Sequence, residues 1–230
     1  MSSAVKSLVS ATAALYRSVG NGLYFFAHGK LRFDPVYLAI IKSGMSVLDL
    51  GCGPGLLFAL LHSAQSQYRC GSWPDGWCAP AEQLRLHGVE FRDNEAMIAR
   101  NTLRPFATID CVDLDRGDVP RADVIVLLDV LHYLDADAQS NLIERISAAI
   151  SPGGLLLIRE ADAAAGFSFR LTRAAEMFAA WWRGPGQGFH FRSRAQWNEL
   201  LAKNGFVIET MPMSEGTPFS NLLWLARRVE

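Results

Sequence analysis

Hydrophobic positions along the chain alternate between two periods. Short apolar runs bounded by Gly, Pro, Asp and Ser read as strands, and longer stretches with apolar residues three and four apart read as helices. The predicted strands are Met45–Leu50, Leu84–Glu90, Ala107–Val112, Asp123–Leu128, Leu155–Arg159, Phe206–Met211 and Asn221–Arg227. Predicted helices are Leu56–Ala64, Asn94–Thr102, Asp137–Ile150 with Asp135 or Asp137 as its cap, Gly166–Trp182, and a last one to Asn204. Ser193 and Gln196 have the spacing of a capping box for that last helix. Near the start, Val5, Leu8, Val9, Thr12, Leu15, Tyr16 and Val19 form a helical stripe expected to pack on the domain; the alternative, a membrane-surface helix, would need a more basic polar face than Lys6 and Arg17 provide. Gln65–Ala81 reads as a loop insertion on the first helix-to-strand connection, and Gly184–Gly188 as a hinge. Strand–helix alternation predicts one α/β domain over 1–230, a parallel sheet with helices on both faces.

Composition narrows the class. The 230 residues are half apolar and one-fifth charged, with formal net charge −1 and no basic arm, which argues against nucleic acid as a partner. No uninterrupted apolar run is long enough for a membrane span, and the first twenty residues lack the layout of a signal peptide. Cys52, Cys70, Cys78 and Cys111 have no metal-ligand spacing. Cys52 and Cys111 read as buried thiols. Cys70 and Cys78 flank a Trp-rich loop and are close enough in sequence to pair, although a reduced cytoplasmic chain is expected.

The chemistry concentrates in Val47-Leu48-Asp49-Leu50-Gly51-Cys52-Gly53-Pro54-Gly55. A buried strand ends in an acid, and a glycine turn then opens a helix. Glycines admit positive φ and close approach of a ligand to the backbone, and the helix N-terminus faces an anion with free N–H groups. A dinucleotide fingerprint would need a glycine where Leu56 stands, and an acid at a strand end about 20 residues on. Asp75 occupies that distance, but in a Trp-Pro-Asp-Gly turn.

The string VLDLGCGPG resembles the first motif of class I S-adenosylmethionine (SAM)-dependent methyltransferases. The resemblance runs in order from about Asp34 to Arg227. Gly88-Val89-Glu90 with Ala99-Arg100 looks like the second motif, whose acid takes the ribose hydroxyls, with Asp93 as the alternative. Asp113-Leu114 resembles the adenine-edge position. Leu127–Tyr133, including Asp129, is similar to the fourth motif, beside the methionine part. Ser151-Pro152-Gly153-Gly154 is similar to the turn before strand five. The resemblance implies a Rossmann-like sheet of seven strands, mostly parallel, with the last antiparallel. It also implies SAM bound by Asp49, Gly51, Cys52, Gly53, Gly55, Glu90, Asp113, Leu114 and Asp129. A looser similarity, in Gly29-Lys30-Leu31-Arg32, Asp34-Pro35 and Met211–Phe219, points to methyltransferases of aryl polyene pigment pathways, which act around a phenolic head group.

Methyl transfer needs a shielded apolar site and, for a phenol or carbon acid, a base. His132, His190 and Tyr133 are the catalytic candidates, with Glu160 and Asp162 behind them. Each has an ordinary alternative: a histidine that caps or packs its loop, a tyrosine that walls a pocket, and acids solvated at a strand end. His62 and His87 fall away from the ligand edge and receive no role. Residues 1–43 form a helical lid segment, with Leu23–Pro35 folding over the cofactor and Lys30 or Arg32 facing a carboxylate. Residues 163–192 form an aromatic cap with Phe167, Phe169, Phe178, Trp181, Trp182, Phe189 and Phe191. Trp73 and Trp77 in the insertion read as exposed and suited to a partner or a homodimer. The implied acceptor is a small aromatic or apolar metabolite, free or carrier-tethered, giving a C- or O-methyl product. The rivals are a non-catalytic SAM-fold scaffold and an NAD(P)-dependent oxidoreductase.

Overall fold

The structure is a computed structural model that describes residues 1–41, 47–183, 188–214 and 216–229, with side chains described in these ranges except for 178–183. Several expectations fall outside the described residues: the strand start at Met45 and Ser46, most of the Gly184–Gly188 hinge, and the side chains of Phe178, Trp181 and Trp182. The chain divides into two compact halves, Met1–Val112 and Asp113–Glu230.

The first half holds helices α1 (Ser3–Ala14), α2 (Asn21–Phe33) and α3 (Pro35–Ile41), followed by β1 (Leu48–Leu50), α4 (Leu56–Arg69), β2 (Leu86–Glu90), α5 (Asp93–Leu103) and β3 (Ala107–Cys111). The Ser2 hydroxyl caps α1 by accepting from Val5 N–H. Val5, Leu8, Val9, Thr12 and Tyr16 are buried as the stripe predicts, but Val19 is exposed. The helix ends at Ala14, so the 3.6-residue period no longer applies to Val19. α3 opens on Pro35, which suits the first helical turn, and the Asp34 carboxylate accepts from Val36 N–H. β1 pairs with β2 and β2 with β3, both parallel.

α4 continues to Arg69, five residues beyond the expected end. Gln65–Arg69 contains no breaker, and the Ser66 hydroxyl donates back to the His62 carbonyl. Chain reversal waits for Gly71 at φ 71°. The following loop packs on itself. Trp73 meets Tyr68 and Trp77 edge-on at 6.0 and 5.5 Å, and its indole N–H donates to the Cys78 carbonyl. Trp73 and Trp77 are therefore half-buried rather than exposed. Cys70 and Cys78 are both free thiols.

The second half holds β4 (Ala122–Leu128), a single 3-10 turn (Leu131–Tyr133), α6 (Ala136–Ala149), β5 (Ile150–Ala161), α7 (Phe167–Arg183), α8 (Arg194–Lys203), β6 (Phe206–Pro212) and β7 (Asn221–Arg228). Asp135 caps α6, and the predicted capping box at Ser193 and Gln196 is present on α8. β5 begins directly at Ile150, earlier than expected. Ser151–Gly154 bulges out of the ladder, so that Ala122 pairs with Ile150 and Val124 with Leu155. Glycine is needed there: a Cβ on Gly154 would lie 2.7 Å from the Ser151 carbonyl. The C-terminal part of β5, Leu155–Ala161, is buried throughout, each Leu and Ile side chain contributing about 1.5–3 kcal/mol.

The strands form one seven-stranded sheet in the order β3-β2-β1-β4-β5-β7-β6. The chain's last strand runs antiparallel to both its neighbours, β5 and β6. The α/β fold implied by the sequence is the fold observed, with β7 inserted between β5 and β6.

Candidate cofactor turn and acid–base cluster

The glycine turn links β1 to α4. Gly51, Gly53 and Gly55 have φ of 85°, 55° and 80°, a region that side chains other than glycine enter only under strain. The N–H groups of Gly51 and Cys52 both donate to the Val89 carbonyl, which ties the turn to β2. Gly55 is the N-cap of α4 and offers no side-chain cap. The turn is packed to contact: a Cβ on Gly55 would lie 2.3 Å from the Leu103 side chain, and one on Gly88 would lie 2.7 Å from Cys52 Sγ. Tyr16, fully buried, donates its hydroxyl to the Pro54 carbonyl at 3.0 Å, so the segment just after α1 braces the same turn.

Two carboxylates stand at this turn. Glu90 is almost fully buried at the end of β2. Its Oε2 accepts from Gly53 N–H at 2.8 Å, and its Oε1 accepts from both the N–H and Nε of Arg92 at 3.0 Å. Asp49, on β1, is also buried. Burial, followed by the neighbouring Glu90 charge, pushes its carboxyl up to about 8. The Cys52 thiol is raised by burial and then by the same two acids. Three left-handed glycines, of which Gly55 leaves no room for a Cβ, with a buried carboxylate beside them, fit the adenosyl and ribose parts of SAM. Asp93, the alternative acid, is exposed and accepts from the Cys111 thiol at 3.0 Å. Cys111 is accordingly only half-buried. Lys30 pairs with Asp34 at 3.0 Å, and Arg32 lies over the Phe33 ring.

In the second half, Asp113 is exposed and accepts from Asp115 N–H in a short turn, while Leu114 is buried. The Arg145 guanidinium donates to the carbonyls of Leu114 and Gly117 and holds that turn. Asp129 ends β4 at φ 59°, the left-handed region, where Asp is tolerated better than bulkier residues. It is held there by its ion pair with the buried Arg159.

His132 is the centre of a buried cluster. Its Nδ1 lies 2.8 Å from Glu160 Oε2, while Glu160 Oε1 accepts from the backbone N–H groups of Leu131 and His132. Glu160 is therefore not a solvated strand-end acid: the extension of β5 to Ala161 places it inside, 2% exposed. His132 Nε2 is buried without a hydrogen-bond partner, with Glu176 Oε2 4.0 Å away. Desolvation disfavours the imidazolium, but the charge and hydrogen bond of Glu160, with Glu176 and Asp129, outweigh it and raise the pKa. Aromatic rings surround the imidazole: Tyr133 at 4.3 Å, Phe191 stacked at 5.0 Å and Phe189 at 5.7 Å.

His190 joins this cluster through its backbone. Its N–H donates to the His132 carbonyl, its own carbonyl accepts from Gln139, and its side chain is exposed. Asp162 accepts from the N–H groups of Ala164 and Arg194. His62 stacks on Phe106 and His87 pairs with Asp110. Gln139 and Glu176 were not foreseen. Gln139 is fully buried and donates to three carbonyls, those of Leu131, Leu134 and His190. Its Oε1 accepts from Arg192 Nε. Neither residue sits in a recognisable pattern, since each acts across a turn or from another helix.

Known proteins agree with this architecture. The methyltransferase domain family matches residues 24–211. The chain is 28% identical over 125 residues to the carboxy-S-adenosyl-L-methionine synthase of Chromohalobacter salexigens, covering 52% of this chain and 41% of that protein. It is 29% identical over 113 residues to the tetracenomycin polyketide synthesis 8-O-methyl transferase of Streptomyces glaucescens, covering 49% and 30%. The chain thus spans less than half the length of these relatives. The magnesium protoporphyrin IX methyltransferase of Synechocystis PCC 6803, solved with bound S-adenosylhomocysteine (SAH), superposes with a TM-score of 0.60 at 20% identity, covering 97% and 98% of the two chains. With its glycine turn, its buried strand-end acid and its strand order, the chain belongs to the methyltransferase domain family and has the fold of the class I SAM-dependent enzymes.

Proposed function

We propose that the chain transfers a methyl group from SAM to a hydroxyl of a small aromatic or apolar acceptor, with His132 as the general base. The observation that carries this reading is the buried imidazole whose Nδ1 is held by Glu160 and whose Nε2 has no partner. With Nδ1–H donated to Glu160, the lone pair lies on Nε2, ready to accept a proton. The aromatic rings around it suit a flat apolar acceptor, and the tetracenomycin relative is named as an O-methyltransferase.

Asp49, Gly51, Cys52, Gly53, Gly55 and Glu90 hold the cofactor in this reading, and the family resemblance adds Asp113, Leu114 and Asp129. Bound SAM supplies an electrophilic methyl on a sulfonium. Glu90 would accept from the ribose hydroxyls, a carboxylate matching two vicinal donors. The acceptor hydroxyl would donate to His132 Nε2, which would take its proton as the oxygen takes the methyl, the methyl–sulfur bond breaks and SAH leaves. Glu160 and Glu176 then stabilise the imidazolium. Tyr133 walls the acceptor, and His190 fixes the His132 backbone.

Calorimetry with SAH, followed by turnover of SAM with a panel of phenolic acids, tests the reading. Micromolar SAH binding and a methyl ether product from one acceptor are the expected results. Folded protein that binds no SAH, or that binds NADH in its place, overturns it.

A further inference from the structure

We propose that α2 is a docking surface for an anionic lipid bilayer. The helix buries only Ala27 and Leu31 against the rest of the molecule. Phe25, Phe26 and Phe33 are 68%, 53% and 68% exposed, an unusual concentration of bare aromatic surface on 13 residues. At 100° per residue, Phe25, Gly29, Gly22, Phe33 and Phe26 fall within an arc of about 100°, opposite the two buried residues. Space is open where Gly22 and Gly29 would carry a Cβ, and the Phe25 ring meets Tyr24 of the same helix edge-on at 5.1 Å.

Charge identifies the occupant. Residues 1–33 contain Lys6, Arg17, Lys30 and Arg32 and no Asp or Glu, on a chain whose overall charge is −1. Arg32 and Lys30 lie just outside the two edges of the phenylalanine arc. Arg32 stacks over Phe33, and Lys30 reaches back to Asp34, itself mostly buried. An aromatic face flanked by cations on a helix lying along the surface is the arrangement that enters the boundary between headgroups and acyl chains, with the cations at the phosphates. A symmetric contact with a second copy would bring two acid-free segments together, with like charges opposed. No helix among the described residues is long and apolar enough to cross a membrane, so the association is peripheral.

The test is sedimentation of the full chain with vesicles of pure phosphatidylcholine and of phosphatidylcholine with one-third phosphatidylglycerol. Association with the anionic vesicles alone, weakened by salt, is the expected result. Arg32→Ala should weaken it about fivefold. The triple variant Phe25→Ser, Phe26→Ser, Phe33→Ser should weaken it at least ~tenfold. These side chains are exposed, so the variant should melt like the wild type. If it does not fold, Arg32→Ala and hydrogen exchange of residues 21–33, expected to slow when anionic vesicles are added, decide the matter. Three results overturn the proposal. One is no association of folded wild type with anionic vesicles at low salt. Another is unchanged association of the triple variant, including the case where it loses SAH affinity, which would make α2 a lid. The third is a wild-type dimer that the triple variant dissolves and that ignores vesicles.

Discussion

The glycine turn and the His132 cluster are both buried and both built around a strand-end glutamate, yet they are assembled in opposite ways. At the turn, the contacts come mostly from the backbone. Three left-handed glycines, the Val89 carbonyl and the Gly53 N–H do the holding, and Glu90 adds one side chain. At His132, the contacts come from side chains. Glu160, Gln139 and Glu176 arrive from β5, α6 and α7 and meet one imidazole or the turn that bears it. A backbone site needs a contiguous run of permissive residues and so leaves a signature in sequence. A side-chain site needs only the right residue at each of several distant places, and no single stretch announces it.

The sharpest way to separate the two regions is to remove His132. If it is the base, His132→Ala should lower kcat by about 10²–10⁴ while leaving SAH affinity, measured by calorimetry, unchanged. Loss of both together would mean that the cluster supports the turn and would erase the distinction. Glu90→Ala should do the converse, weakening SAH about ten- to hundredfold through lost charge-assisted hydrogen bonds.

A subtler experiment addresses how each region sets its proton affinity. Glu160→Gln removes the charge that keeps the imidazolium favourable and leaves burial, which opposes it. The base must be neutral to act, so the acidic limb of the pH–rate profile should move to lower pH. An unmoved limb would show that another group titrates there.

The smallest expected effect concerns Asp49. Its carboxyl is raised from 3.8 to about 8, so the folded state holds a proton that the unfolded state releases across that window. Its contribution to stability is complete below about 4 and declines as pH rises toward 8. Asp49→Asn should flatten that part of the stability-versus-pH curve in urea titrations. The same slope in the variant would assign the effect elsewhere.

Much of the fold was legible because period and punctuation agree with it. Apart from the start of β1, part of which lies outside the described residues, and the start of β5, the strands, the Asp135 cap and the Ser193 capping box lie where the pattern placed them, within a few residues. The misjudged boundaries were at α4, which runs on because Gln65–Arg69 lacks a breaker, and at Ser151–Gly154, where a Pro-Gly-Gly turn is absorbed into β5 as a bulge. Both misreadings treated local composition as decisive where the ladder or the helix bond could continue.

Sequence alone determined the strands and the glycine turn, because those depend on neighbours in the chain and on the restricted φ of non-glycine residues, while Glu90 as the acid of the turn came from the resemblance of Gly88-Val89-Glu90 to a family motif, with Asp93 as the alternative. Tertiary structure alone decided that Glu160 is buried on His132, that His190 acts through its backbone, that Trp73 and Trp77 pack on each other, and that three phenylalanines of α2 face outward. Burial and pairing are set by which distant surfaces meet. A residue's letter and its neighbours carry hydrophobicity and local geometry, but not what packing places against it.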